Sequence, residues 1–212
     1  MPTTRMIEVY KFDELGDEAK EKAREWHREG GFDYNWWEFI FEDADTIAKL
    51  IGIEIDRKSV PLMNGKTRQD PAIYFSGFSS QGDGACFEGR YYHKKGAYKE
   101  VKKHAPKDQE LHRIARELNL LQRKYFYRLA ASLKHTGHYN HELSVTIEVE
   151  DRETGEEVDQ GTVEGVKDAL RDFMRWIYKQ LEQEWEYMNS DEQVDETIRA
   201  NEYEFDKDGK RV

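Results

Sequence analysis

IYFSGFSSQGDGACFEGRYY, residues 73–92, sets two aromatic runs around a loop of small and polar side chains. Aromatic and β-branched residues suit the pleated, half-buried surface of a strand, and Gly, Ser and Asp suit the turn between two strands. The stretch predicts an antiparallel pair, 73–78 and 86–92, closed by Ser79, Ser80, Gln81, Gly82, Asp83 and Gly84.

Outward from this pair, the hydrophobic spacing changes period. Before it, residues 6–12 read as a strand, and residues 17–29 as a charged helix stopped by Gly30-Gly31. Ala19, Ala23 and Trp26 make that helix's narrow inner stripe. Asp33 is placed to cap a second helix over 34–51, where Trp37, Ile40, Phe41, Ala44, Ile47, Ala48 and Ile51 recur at helical spacing. Gly52 ends it, residues 53–57 alternate as a strand, and residues 58–70, with Pro61 and Asn64-Gly65, read as loop or hairpin. After the pair, the spacing Leu111, Ile114, Leu118, Leu121, Tyr125, Leu129, Leu133 predicts one long helix over 108–134. Residues 141–150 alternate as a strand with one wet face. Thr162 can cap a long helix to Met188, and Ser190-x-x-Gln193 opens a last short one. Helices and strands do not alternate regularly. The expectation is a single α+β domain over 1–212: a mainly antiparallel sheet of four to six strands with four or five helices.

Composition bounds the rest. Charged residues reach 36% and apolar residues only 37%. The aromatic share of 13% nevertheless supplies enough buried area for a core. Cys86 is the single cysteine, so no intramolecular disulfide can form, which fits a reducing compartment. The first residues lack the apolar core of a signal peptide, and no apolar run approaches the ~18 residues of a membrane span. The expectation is a cytoplasmic protein with no membrane contact. Charge is uneven. Residues 90–135 hold thirteen Lys or Arg against four Asp or Glu, a net of +9 in a chain of net −11. Residues 142–212 hold twenty-two acids against nine bases. The overall charge disfavours nonspecific duplex DNA binding by the whole surface.

Four constellations could carry chemistry. Backbone amides of the glycine loop could form an anion nest, with Ser79 and Ser80 as hydroxyl donors and Arg90, Lys94 and Lys95 downstream. The plain alternative is a hairpin loop whose glycines satisfy turn geometry. It is neither a Walker A loop nor a dinucleotide fingerprint. The basic segment, interleaved with Tyr91, Tyr92, Tyr98, Tyr125 and Tyr127, suits phosphates and bases; equally, it could lie against the acidic helices of its own chain. His135, His138 and His141 with Glu142 have spacing compatible with a transition metal and a base for bound water, although His135 also suits a helix C-terminus. Glu38, Glu42 and Asp45 on one helix, and Glu182 and Glu186 on another, form acidic stripes. They read as solvated faces, or as rows of carboxylates that occupy a basic groove on a partner. Cys86 reads as a small buried hydrophobe. No Ser–His–Asp arrangement can be drawn, and no cofactor is called for.

Three segments, VYKFDELGDEAKEKAREW, IYFSGFSSQGDGACFEG and RWIYKQLEQEWEYMNSDEQVDETIRANEYEFDKDGKRV, resemble a family of small bacteriophage and prophage accessory proteins. Its members are often labelled hypothetical or antitoxins of toxin–antitoxin stability systems. The resemblance implies a product acting inside a bacterium and brings no catalytic residues with it. The expected function is therefore stoichiometric neutralisation of a host defence component or toxin, with a host protein as partner and no enzymatic activity. The alternatives are a sponge for a phosphate-bearing small molecule, built on the glycine loop, and a metal-dependent hydrolase.

Overall fold

The computed structural model describes residues 8–32, 34–62, 65–154 and 157–212. In chain order the elements are β1 (Tyr10–Lys11), α1 (Asp17–Glu29), α2 (Glu38–Ile51), β2 (Ile53–Ile55), β3 (Arg57–Pro61), β4 (Thr67–Pro71), β5 (Ile73–Phe75), β6 (Ala85–Phe87), β7 (Gly89–Tyr92), α3 (Ala97–His104), α4 (Gln109–Lys124), β8 (Leu129–His135), β9 (Val145–Asp151), α5 (Gln160–Met188), α6 (Asp191–Ala200) and β10 (Glu204–Phe205). The fold is α+β, with every strand pair antiparallel. The chain forms two compact units. One holds the described residues up to Trp36 together with Glu182–Val212, the other Trp37–Leu181.

In the first unit, α1 runs over the expected residues and buries Ala19 and Ala23. They join Phe12, Leu15, Val194, Ile198 and Phe205 in one core, against which Trp26 and Tyr203 pack, the two rings meeting each other edge to face at 5.2 Å. The expected strand over 6–12 is shorter: Met6 and Ile7 lie outside the described residues, β1 pairs with β10, and Phe12 already begins a tight helical turn. Arg24 clamps Asp195 on α6 through Nε (2.7 Å) and Nη2 (2.9 Å). Ser190 caps α6 by accepting the Gln193 amide, as its spacing predicted.

The second unit is built on the sheet β2-β7-β8-β9. Its buried positions include Ile53, Ile55, Tyr91, Leu129, Ala131, Leu133, Val145 and Ile147. The expected helix over 34–51 begins only at Glu38; Asp33, its expected cap, lies outside the described residues. Gly52 ends α2 with φ +100°, and a Cβ there would stand 2.2 Å from the Tyr92 carbonyl, so only glycine serves both needs. Residues 58–70 are largely hairpin, β3 with β4, from Arg57↔Pro71 to Pro61↔Thr67. The pair flanking the glycine loop is real but short, β5 with β6. The second run then breaks at Glu88, and Gly89–Tyr92 joins the main sheet instead.

The largest correction concerns the helix expected over 108–134. α4 stops at Lys124, and Leu129–His135 is the strand β8, paired with both β7 and β9. Phe126 (φ 51°) and Tyr127 (φ 67°) turn the chain through left-handed backbone. Gln122, 1% exposed, holds the turn closed: Nε2 donates to the Leu129 carbonyl (2.7 Å) and Oε1 accepts the Leu129 amide (3.1 Å). Asp108 does cap α4, accepting the Leu111 amide. Helix α3 was not anticipated. The strand expected over 141–150 begins as a helical turn, Glu142–Ser144, leaving Leu143 exposed and β9 to start at Val145. α5 begins before Thr162, and its capping carboxylate is Asp159, which accepts the Thr162 amide at 3.1 Å. Phe173 of α5 meets Phe87 of β6 edge to face at 5.9 Å. Among the described residues no helix is long and apolar enough to cross a membrane.

Candidate functional site

Helix α2 and the β3–β4 hairpin enclose an open cleft of about 340 Å³. Helical periodicity carries Glu38, Phe41, Glu42 and Asp45 to one side of α2, while the hairpin supplies Arg57, Arg68 and Asp70. The ion pairs differ in kind. Arg68 holds Asp70 through two bonds (2.5 and 2.8 Å) and reaches Glu38 at 2.7 Å. Asp45 is no solvated stripe residue. It is 7% exposed, and its Oδ2 accepts from Lys49 (2.7 Å) and Arg57 (2.6 Å). Its buried Oδ1 has no donor among the described residues. The Glu42 carboxylate is exposed and makes no ion pair among the described residues. Trp37 and Phe41 also line the cleft, both in edge contact with Phe75 (5.6 and 6.1 Å). Carboxylates outnumber guanidinium groups in the lining four to two. An acidic cleft bordered by aromatic rings suits a cation. Of the other acidic stripe, Glu182 is half-buried and Glu186 exposed, and both belong to the first unit.

The glycine loop uses its own anion. Asp83 Oδ2 accepts the amides of Ser79 (2.9 Å) and Ser80 (2.7 Å). Two amides of the loop thus serve a carboxylate of the chain itself, and they hold the Asp83 carboxyl below its ordinary range. Gln81 is exposed, and Gly84 donates to Ser76 Oγ at 3.3 Å. The expected cations do not gather here. Lys94 donates to the Lys49 carbonyl at the end of α2 (2.6 Å), and Arg90, in β7, and Lys95 are exposed without an ion pair among the described residues.

The histidines likewise point to separate partners. His135 Nε2 donates to the Tyr139 carbonyl (2.9 Å), and its ring stacks on Tyr74 at 5.4 Å. His141 Nδ1 accepts the Leu143 amide (3.0 Å) and lies 3.4 Å from Glu142 Oε2, Glu142 also receives Arg175 (3.0 Å), and His138 is exposed. Among the described residues no group of three or more His, Cys, Asp or Glu is arranged to hold a metal ion. The basic segment is partly neutralised from within. Arg113 meets Asp172 of α5 (2.7 Å), Lys124 meets Asp159 (2.7 Å) and Arg128 meets Asp151 (2.8 Å). Lys99, Lys102, Lys103, Lys107, Arg116 and Arg123 remain exposed without carboxylate partners among the described residues.

A further cluster was not anticipated. His93, Tyr127, Arg128, Leu129, Arg152 and Glu153 line a cavity of about 260 Å³ where β7 ends, β8 begins and β9 ends. The residues stand far apart in sequence, so only the strand pairing could have revealed it.

Fold and site thus define an α+β protein with an open acidic cleft and a separate arginine-rich cavity. The chain belongs to the family described as a domain of unknown function, DUF8835, whose model matches residues 36–191. No curated protein and no solved structure matches it.

Proposed function

We propose that this protein acts by binding another protein stoichiometrically, through the acidic side of α2. The cleft would receive an Arg or Lys side chain of the partner, with Glu42 as the available carboxylate and Trp37 and Phe41 beside it. The observation that carries this reading is the exposed Glu42, without an ion pair among the described residues, in a cleft whose other carboxylates are already paired. A desolvated charge pair flanked by aromatic side chains is the common form of an interface anchor. The likeness to phage accessory proteins makes a host toxin or defence component, in the bacterial cytoplasm, the partner to test first.

The test is co-expression with a panel of bacterial toxins and defence effectors, scoring relief of growth arrest, followed by native mass spectrometry of the rescued pair. The expected result is a complex of fixed stoichiometry that Glu42→Arg abolishes without lowering the melting temperature. Rescue at catalytic amounts, or full neutralisation by Glu42→Arg, would overturn the proposal.

A further inference from the structure

Strand register assembles the second cavity. Tyr92 pairs with Ala130 and Leu129 with Asp151, so His93, Arg128 and Arg152 come together at one end of the sheet. The Arg152 amide donates to the Arg128 carbonyl (3.2 Å), fixing the two residues side by side. Their guanidinium groups have different duties. Arg128 is held by Asp151 (2.8 Å) and approaches Glu153 (4.0 Å), while its buried Nε has no acceptor among the described residues. Arg152 has no carboxylate partner among the described residues, and its guanidinium lies over the Tyr92 ring, 4.8 Å from the centroid. His93 and Tyr127 face each other with ring centroids 4.4 Å apart. Partial burial lowers the His93 pKa, so positive charge here comes from arginine.

The rim is unusual in a second way. Phe126 is 77% exposed and Tyr127 48%, and both hold left-handed backbone. Bulky side chains avoid that region, and such residues collect where structure serves binding. Here the turn displays two aromatic side chains beside an arginine that has no carboxylate partner among the described residues.

We propose that this sheet-end cavity binds a phosphate joined to a planar base. Arg152, supported by Arg128, would take the phosphate, and the base would stack on Tyr127 at the rim. The cavity is smaller than the roughly 300 Å³ of typical small-molecule sites, so the anionic group would sit inside and the ring at the mouth. Cation and ring together are the elements by which proteins hold nucleotides without reading sequence. The site shares no lining residue with the α2 cleft, so the two proposals stand or fall separately.

Isothermal titration calorimetry on the full chain tests it, with adenosine, adenosine 5′-monophosphate and a short 5′-phosphorylated oligodeoxyadenylate as probes. The expected result is heat with the phosphorylated probes and none with adenosine. Arg152→Gln and Tyr127→Gly should each weaken binding at least tenfold; glycine suits the backbone at 127, and an unchanged melting curve for Arg152→Gln confirms that the fold is intact. Equal affinity for the mononucleotide and the oligonucleotide supports a free nucleotide as ligand. Binding of the oligonucleotide alone supports the end of a single strand. No heat with either phosphorylated probe at millimolar concentration, or unchanged affinity in Arg152→Gln, would overturn the proposal.

Discussion

Replacing Gln122 should cost far more than its place at the end of a polar helix suggests. Its side chain completes both polar groups of Leu129, itself 1% exposed, and Nε2 also lies 3.3 Å from the buried Tyr91 hydroxyl. The Arg128 carbonyl is used by Arg152, just past β9, so alternation turns the amide and carbonyl of Leu129 to the other side, where Gln122 meets them. In Gln122→Leu both groups stay buried and lose their partners. An unsatisfied buried polar group costs about 1–3 kcal/mol, so the pair predicts a loss of about 2–6 kcal/mol. Leucine has a comparable volume, which separates this cost from that of a cavity. Gln122→Glu can still accept the Leu129 amide but sets a carboxylate against the carbonyl, so it should lose a similar amount at neutral pH. Urea unfolding followed by tryptophan fluorescence measures the loss, and hydrogen exchange at the Leu129 amide localises it. If Gln122→Leu stays within about 1 kcal/mol of the parent, Gln122 does not hold the turn and the reasoning fails.

Three further outcomes follow from the geometry. Asp159 accepts from Lys124, Tyr125 and Thr162, and these bonds, Lys124 first, depress its pKa; its contribution is complete above the unfolded value near 3.8 and declines as pH falls, so Asp159→Asn should flatten the acid limb of a melting-temperature profile. Cys86 is fully buried and burial pushes its thiol up to about 12, so a thiol reagent should leave the native protein unlabelled at mildly alkaline pH and modify it rapidly in denaturant. Gly89 has φ +155°, and a Cβ there would lie 2.1 Å from the Glu54 carbonyl; Gly89→Ala should part β2 from β7 and cost about 2–4 kcal/mol in chemical denaturation.

Local chemistry determined much of this protein. The boundaries of α1, the glycine stop after α2 and the serine cap of α6 follow from spacing and terminal residues, because each interaction spans only a few positions. Residues 118–133 show where that ends. Leu121, Tyr125, Leu129 and Leu133 fit a helix, while Leu129, Ala131 and Leu133 fit a strand equally well. Pairing with β7 and β9, and the reach of Gln122 to Leu129, decided between them. The sites divide in the same way. Helical spacing alone set Glu38, Glu42 and Asp45 on one side of α2, but the hairpin decided that Asp45 would be buried and Glu42 left open. Nothing local links His93, Tyr127 and Arg152. They meet because antiparallel pairing brings distant strand ends together, and that cooperation of long-range hydrogen bonds and packing is what a pattern of neighbours does not contain.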